Sequence, residues 1–196
     1  EMCNALSFID FSIPSTDDEE IAKEGRLCGL EVPFIRPSEL ADDHSSSVSM
    51  MRHAWLSSEE HFSCTFDVGL LLEPTSPLRK TVDIIEALEK LFQGNYSSIC
   101  TVSKTPGHYT PHKTLEILPD DRISFFHPHG QDHSIRQTIP PYYHRNGICY
   151  AVKRETLIDQ NSIITNNTGA LIINRDVVNI DDPLDLRIAD LLLTIQ

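Results

Sequence analysis

Three observations predict an α/β fold with a largely parallel sheet. Short apolar runs of strand length alternate with segments of helical spacing along the chain. The decapeptide Leu70 to Arg79, Leu-Leu-Leu-Glu-Pro-Thr-Ser-Pro-Leu-Arg, joins one such run to a helix through a proline-stiffened polar loop. Polar stretches also recur where strands end, and in open α/β sheets ligands sit beyond the carboxyl ends of strands.

Taken in order, residues 6–13 are short, apolar and partly alternating, as in a strand. Glu19 to Cys28 reads as a helix, with Thr16 or Asp17 as its cap, acids in its first turn and Gly29 at its end. Val32 to Ile35 reads as extended, and Ser38 to Ser46 as a loop. Ser47 to Ser57 reads as a helix with Val48, Met51 and Trp55 near one face.

Val68 to Leu72 has the continuity of a strand covered on both faces. Pro74 and Pro77 cannot donate to a ladder, so they end it. Thr81 to Phe92 resumes with helical spacing at Val82, Ile85, Leu88 and Leu91. Tyr96 to Val102, Gly147 to Val152, Gly169 to Asn174 and Val177 to Ile180 have strand composition. Lys153 to Asp159 is a short helix. The last helix opens at Asp182-Pro183, with Pro183 near its first position.

Residues 104–145 break the alternation. They hold six of the nine histidines and half of the twelve prolines among short apolar pieces. They read as an inserted arm of strands and loops, a common place for function or dimer contacts. Its histidines match no HExxH metal motif.

The 196 residues suit one domain. A net charge of −13 argues against nucleic-acid binding, which needs a basic surface. It leaves room for an anionic small substrate, because local field matters more than total charge. The apolar runs are too short to span a bilayer, and no signal peptide stands at the start. The first residue is Glu1 rather than Met, as in a fragment or a processed form. The five scattered cysteines form no CxxC pair and read as buried reduced thiols of a cytoplasmic protein.

The hydroxyls, amides, arginines and carboxylates at the strand ends suit a polyanionic ligand held with a divalent metal. Within them, seven short motifs occur in order. They are Ser15-Thr16-Asp17-Asp18-Glu19-Glu20-Ile21-Ala22; Val32-Pro33-Phe34 with Arg36-Pro37 and Leu40-Ala41-x-Asp43; and His53-Ala54. Then come Pro74-Thr75-Ser76-Pro77-Leu78-Arg79; Arg136-Gln137-x-x-Pro140; Asn146-Gly147 with Tyr150; and Asp181-x-Pro183-x-Asp185-Leu186. Together they span nearly the whole chain. In this it resembles the CMP-sialic acid synthetase family, the acylneuraminate cytidylyltransferases.

The resemblance implies a three-layer nucleotide-diphospho-sugar transferase-like (Rossmann-like) fold, its mostly parallel sheet carrying an inserted dimerisation arm at 104–145. It implies transfer of CMP from CTP to a nonulosonic acid, with Mg²⁺ and a cytoplasmic homodimer. By position it implies Arg36 and Ser47 at the nucleotide, and Glu73, Thr75, Ser76, Arg79, Lys113, Gln137 and Asn146 at the sugar. Arg136 and Asp181 would be catalytic, with Asp181 and Asn179 at the metal. Five residues keep a second reading: Arg36 as a solvated loop arginine, Arg79 as a helix-start partner of Asp83 at i,i+4, Arg136 and Asn146 as pins of a turn, and Asp181 as a helix-capping acid. A homologue impaired in turnover that acts as a binding or dimer partner, and a cytidylyltransferase for ketodeoxyoctonate, remain as alternatives.

Three departures from the family pattern accompany the resemblance. The match starts after the family's first strand and its Gly/Ser/Arg/Lys-rich phosphate loop, so roughly one strand–helix unit, about 30 residues, is expected to be missing. The usual Asp-x-Asp metal pair reads Asn179-Ile180-Asp181. Glu73 stands where well-studied members carry Gln; an ionised carboxylate there accepts hydrogen bonds and donates none.

Overall fold

The computed structural model describes residues 6–42, 45–132 and 139–195. Its helices are α1 (Glu19–Leu27), α2 (Ser47–Phe62), α3 (Thr81–Gln93), α4 (Arg154–Ile158) and α5 (Pro183–Ile195). Its strands are β1 (Val68–Leu71), β2 (Ser98–Lys104), β3 (Leu115–Ile117), β4 (Ile123–Phe125), β5 (Tyr143–Lys153) and β6 (Thr168–Ile172).

Side-chain caps set where the helices begin. Asp18, rather than Thr16 or Asp17, caps α1 by accepting from the backbone N–H of Glu20 at 2.7 Å and of Ile21 at 3.0 Å. Ser46 accepts from Ser49 N–H and starts α2, which runs past Ser57 to Phe62 and stops where Ser63 turns left-handed. The Asp83 carboxylate reaches back to Lys80 N–H at 2.7 Å and closes the start of α3. Asp182 caps α5 through Leu184 and Asp185 N–H, while Asp185 accepts from the N–H groups of Asp181 and Asp182. The acid before Pro183 is thus the capping residue its sequence position implies.

The main sheet has the order β1-β5-β2-β6. β2 and β6 pair in parallel, and β5 runs antiparallel to both β1 and β2. Three strands therefore share one direction and β5 opposes them. From Cys149 to Val152, β5 alternates between two cores. Cys149 and Ala151 join Ile84, Ala87, Leu91 and Ile99 under α3. Tyr150 and Val152 join Met51, Trp55 and Leu157 under α2 and α4. The period-2 alternation of one strand thus produces a helix–sheet–helix sandwich of three layers.

Several sequence expectations need correction. β1 packs on both cores, through Val68 and Leu70 on one face and Leu71 on the other, but stays half-buried, and among the described residues it is paired only on its β5 side. Residues 6–13, 32–35 and 177–180 form no strand. Leu6 is instead a core residue, and Ile180 N–H bonds the carbonyl of Thr75 at 2.8 Å. Of the cysteines, Cys100 and Cys149 are buried, but Cys28 and Cys64 are exposed; Cys3 lies outside the described residues. Within residues 104–145, β3 and β4 form a separate two-stranded antiparallel ladder. No helix of the described residues is long and apolar enough to cross a membrane.

Candidate active site

The loop after β1 is drawn onto β5 by an arginine. Arg79 donates from Nε to the carbonyl of Ile148, and from Nη2 to the carbonyls of Glu73 at 2.6 Å and Gly147 at 3.1 Å. It does not pair with Asp83, which is taken by Arg175 at 2.7 and 2.5 Å. Arg175 also donates to the carbonyl of Leu78 at 3.0 Å. Two guanidinium groups thus fasten both halves of the 73–80 loop.

The opposite wall is a break in the β2–β5 ladder. Pairing shifts register between Cys100 and Val102. Asn146 fills the break and is buried, at 4% exposure. Its Oδ1 accepts from Thr101 Oγ1 at 2.8 Å and Ile148 N–H at 3.2 Å, and its Nδ2 donates to Ser103 Oγ at 3.0 Å. Its amide is therefore spent on the protein, and of its two readings the turn pin is the one the geometry favours. Gly147 follows with φ +68°. A Cβ there would stand 2.3 Å from Glu73 Oε2, 2.5 Å from Ser76 Oγ and 3.1 Å from Asn179 Oδ1. Three side-chain oxygens converge on one bare backbone, which only glycine leaves open.

The third wall comes from the segment after β6. Asn179 Oδ1 accepts from Thr75 Oγ1 at 2.7 Å and from Ser76 Oγ at 3.0 Å. Ser76 is fully buried, and its hydroxyl is shared with the carbonyl of Asn146 at 2.9 Å. Asn179 Nδ2 donates to both carboxylate oxygens of Asp181, at 3.1 and 3.3 Å. Asp181 itself is exposed.

Behind Glu73 lies Tyr150, hydrogen-bonded to the carboxylate. Burial, reinforced by the Glu73 charge, pushes the phenol up to about 12. Burial likewise pushes the Cys100 thiol up to about 11. Both groups stay protonated at neutral pH, so the charges exposed around this wall are those of Glu73, Arg145 and Asp181.

The sequence candidates therefore separate. Glu73, Thr75, Ser76, Arg79, Asn146, Asn179 and Asp181 meet at the carboxyl ends of β1 and β2. Arg36 belongs to another set: it donates to the carbonyl of Ser15 at 3.2 Å and pairs with Asp17 at 3.3 Å, with its Nε buried and unpartnered. Ser47 is exposed in the first turn of α2, and Lys113 is exposed in the arm. Arg136 and Gln137 lie outside the described residues. Tyr150, Thr101 and Arg175 complete the cluster, and sequence reasoning gave them no role. Asn-Gly inside an apolar strand was the one available signal for the break.

The donor set bears on a divalent metal. Asp181 offers one exposed carboxylate, while the Asn179 oxygen already accepts two hydroxyls. Among the described residues no three His, Cys, Asp or Glu side chains are grouped to hold an ion. A divalent cation at this wall would have Asp181 as its carboxylate ligand and would need its remaining oxygens from elsewhere.

Known proteins place this architecture. No protein-family model matches the chain. It is 34% identical over 180 residues to the post-translational flagellin modification protein B of Campylobacter coli, covering 91% of this chain and 75% of that protein. It is 31% identical to the CMP-N,N'-diacetyllegionaminic acid synthase of Campylobacter jejuni, covering 93% and 76%. It is 29% identical to the N-acylneuraminate cytidylyltransferase of Escherichia coli, covering 94% of this chain and 41% of that one. The fold resembles that of a CMP:2-keto-3-deoxy-manno-octonic acid synthetase solved with CTP, at TM-score 0.68 and 12% identity over 98% of this chain and 84% of that one. Relatives at this identity, aligned over nine tenths of the sequence, show that the chain belongs to the CMP-nonulosonic acid synthase family of cytidylyltransferases.

Proposed function

We propose that this protein transfers CMP from CTP to a nonulosonic acid. The anomeric hydroxyl of the sugar forms a bond to the α-phosphorus and loses its proton. The bond from the α-phosphorus to the bridging oxygen breaks, and pyrophosphate leaves. The observation that carries the reading is identity above 30% to a CMP-legionaminic acid synthase across nine tenths of the chain. The oxygen-rich cluster at the strand ends supports it, since such a surface suits a hydroxylated acidic sugar beside a nucleotide.

In this reading Arg36 and Ser47 serve the nucleotide. Glu73 faces the sugar directly, with Thr75, Ser76, Arg79 and Asn146 shaping its wall. Lys113, Arg136 and Gln137 serve the sugar from the arm. Mg²⁺ would neutralise phosphate charge, held by Asp181 and by the phosphates. Catalysis then consists of positioning and electrostatics. The enzyme works in the cytoplasm as a homodimer. The exposed apolar side chains of the β3–β4 ladder, Ile117 at 78% and Ile123 at 65%, support an arm that docks on a second copy.

The test supplies CTP, Mg²⁺ and a panel of sialic, legionaminic and pseudaminic acids with ketodeoxyoctonate. Sugar-dependent pyrophosphate release with formation of a CMP-sugar is expected, and release with ketodeoxyoctonate alone would move the substrate class. Absence of turnover on every member overturns the proposal. A homologue that binds without turnover is the second reading, favoured by the engagement of the Asn179 oxygen. Calorimetric binding of CTP or sugar without pyrophosphate release would establish it.

A further inference from the structure

Asn179 occupies the position of an acid in the family's metal pair, yet its surroundings are those of a clamp. We infer that Asn179 is a positioning residue that holds Asp181 and ties it to the 73–79 loop, and that it is not itself a metal ligand. The inference rests on the cytidylyltransferase reading for its consequence in catalysis.

Four groups meet at this one amide. Thr75 and Ser76 present hydroxyls to its oxygen, and the two carboxylate oxygens of Asp181 face its nitrogen. Asp181 forces the orientation. Turning the amide over would bring Oδ1 against two carboxylate oxygens, acceptor against acceptor. With the nitrogen toward Asp181, the oxygen must face the hydroxyls. Thr75 donates to one side of that oxygen, and Ser76 Oγ stands 3.0 Å from it with its single proton shared with the Asn146 carbonyl, so protein hydroxyls already occupy the places a cation would take.

The neighbouring backbone repeats the same tie. Ile180 N–H bonds the carbonyl of Thr75 at 2.8 Å, so residues 179 and 180 both attach to Thr75. Asp181 N–H bonds the Asp185 carboxylate at 3.0 Å. Asp181 is thus held by its backbone from α5 and by its side chain from Asn179. Two hydrogen bonds to one face of a carboxylate leave its remaining lone pairs directed away from the amide.

A carboxylate at 179 would keep the two hydroxyl donors. It would lose the donor toward Asp181 and set a like charge about 3 Å from it. Restoring the family's Asp-x-Asp pattern is therefore expected to damage this site. A ligand role predicts the reverse, because added negative charge strengthens cation binding.

The experiment measures Mn²⁺ affinity of the full chain with CTP, from the loss of the free-ion paramagnetic resonance signal. Alongside it run kcat and KM for the sugar, and melting temperature. Variants are Asn179→Asp, Asn179→Ala, Asp181→Asn and the double variant Asn179→Ala/Asp181→Asn. We expect Asn179→Asp and Asn179→Ala each to weaken Mn²⁺ binding and kcat by about 10- to 100-fold, with the sugar KM moving less than about threefold. In the Asp181→Asn background, Asn179→Ala should cost no further Mn²⁺ affinity, because the carboxylate it holds is already gone, while loss of the tie to Thr75 and Ser76 still lowers the melting temperature. A purely structural role would add its full cost in Mn²⁺ affinity in both backgrounds.

Tighter Mn²⁺ binding by Asn179→Asp, or additive losses of Mn²⁺ affinity in the double variant, overturns the inference. Should Asn179→Asp fail to fold, Asn179→Ala and the double variant still carry the comparison. If the parent chain has no turnover, the cytidylyltransferase reading fails by itself. The Mn²⁺ affinities of the Asp and Ala variants then still decide whether residue 179 is a ligand.

Discussion

Arg175 grips Asp83 through both terminal nitrogens, at 2.7 and 2.5 Å, and Asp83 is 2% exposed. The pair joins the segment after β6 to the start of α3, and through the Leu78 carbonyl to the 73–80 loop. Removing the arginine leaves an ionised carboxylate in the interior, which costs about 3 kcal/mol or more. We expect Arg175→Ala to lower stability by that amount in urea titration. Hydrogen exchange at residues 78–83 should accelerate with it. An unchanged midpoint would show that the pair is ornamental.

Acid should act through a second pair. Glu59 accepts from Arg154 Nε and Nη2 at 2.9 and 3.0 Å, and also from Trp55 Nε1 and Phe66 N–H. The Arg154 hydrogen bond, helped by those of Phe66 and Trp55, holds the Glu59 carboxyl down to about 2. A depressed folded-state value means that its stabilisation is complete above the ordinary value of about 4.5. It is lost as pH falls from there through 2. Melting temperature against pH should therefore fall more steeply between pH 4.5 and 2.5 for the parent than for Glu59→Gln. Parallel curves would remove Glu59 from the acid response.

At Gly147 three side-chain oxygens close on the backbone. Gly147→Ala combines a left-handed φ with a methyl group driven onto Glu73 and Ser76. We expect a stability loss of about 1–3 kcal/mol, and loss of turnover larger than the stability loss explains. Full activity at a temperature well below the melting point would contradict this.

Glu73 is expected to choose the sugar. An ionised carboxylate accepts from N–H and O–H groups and rejects a carboxylate or acyl oxygen. Glu73→Gln restores a donor at this wall. The ratio of kcat/KM between sugars presenting an acceptor here and those presenting a donor should rise about tenfold or more, the scale of one hydrogen bond to a charged group. A flat ratio across the panel would take specificity away from this residue.

Local physics made much of this legible in the sequence. Helical spacing over 81–92 marked α3, although the face it buries is that of Ile84, Ala87 and Leu91 while Val82 and Ile85 are exposed, and Pro183 after Asp182 marked the start of α5. The Pro-Thr-Ser-Pro loop stood where a site belongs. What stayed hidden depends on direction and distance. The continuous apolar run 147–152 fits a strand buried on both faces but carries no sign for antiparallel pairing. Val177 to Ile180 has strand composition, yet Asn179 and Ile180 bond the Thr75 loop in place of a neighbouring strand. Arg79 and Asn146 were marked as members of a motif. A motif does not say whether a side chain points at a ligand or back into the fold, and both point back. Asp83 and Arg175 are 92 positions apart, beyond any local rule.

The order β1-β5-β2-β6 also has a consequence for synthesis. β1 and β2 are both made before β5 but are not neighbours; the strand that joins them ends only at Lys153. Until then β1 lacks its β5 partner and β2 lacks both of its own, leaving open edges that invite pairing with other chains. The nascent protein thus carries an unsealed sheet from the synthesis of β1 until that of β5. Its folding yield should depend on how quickly the stretch between β2 and the end of β5 is translated.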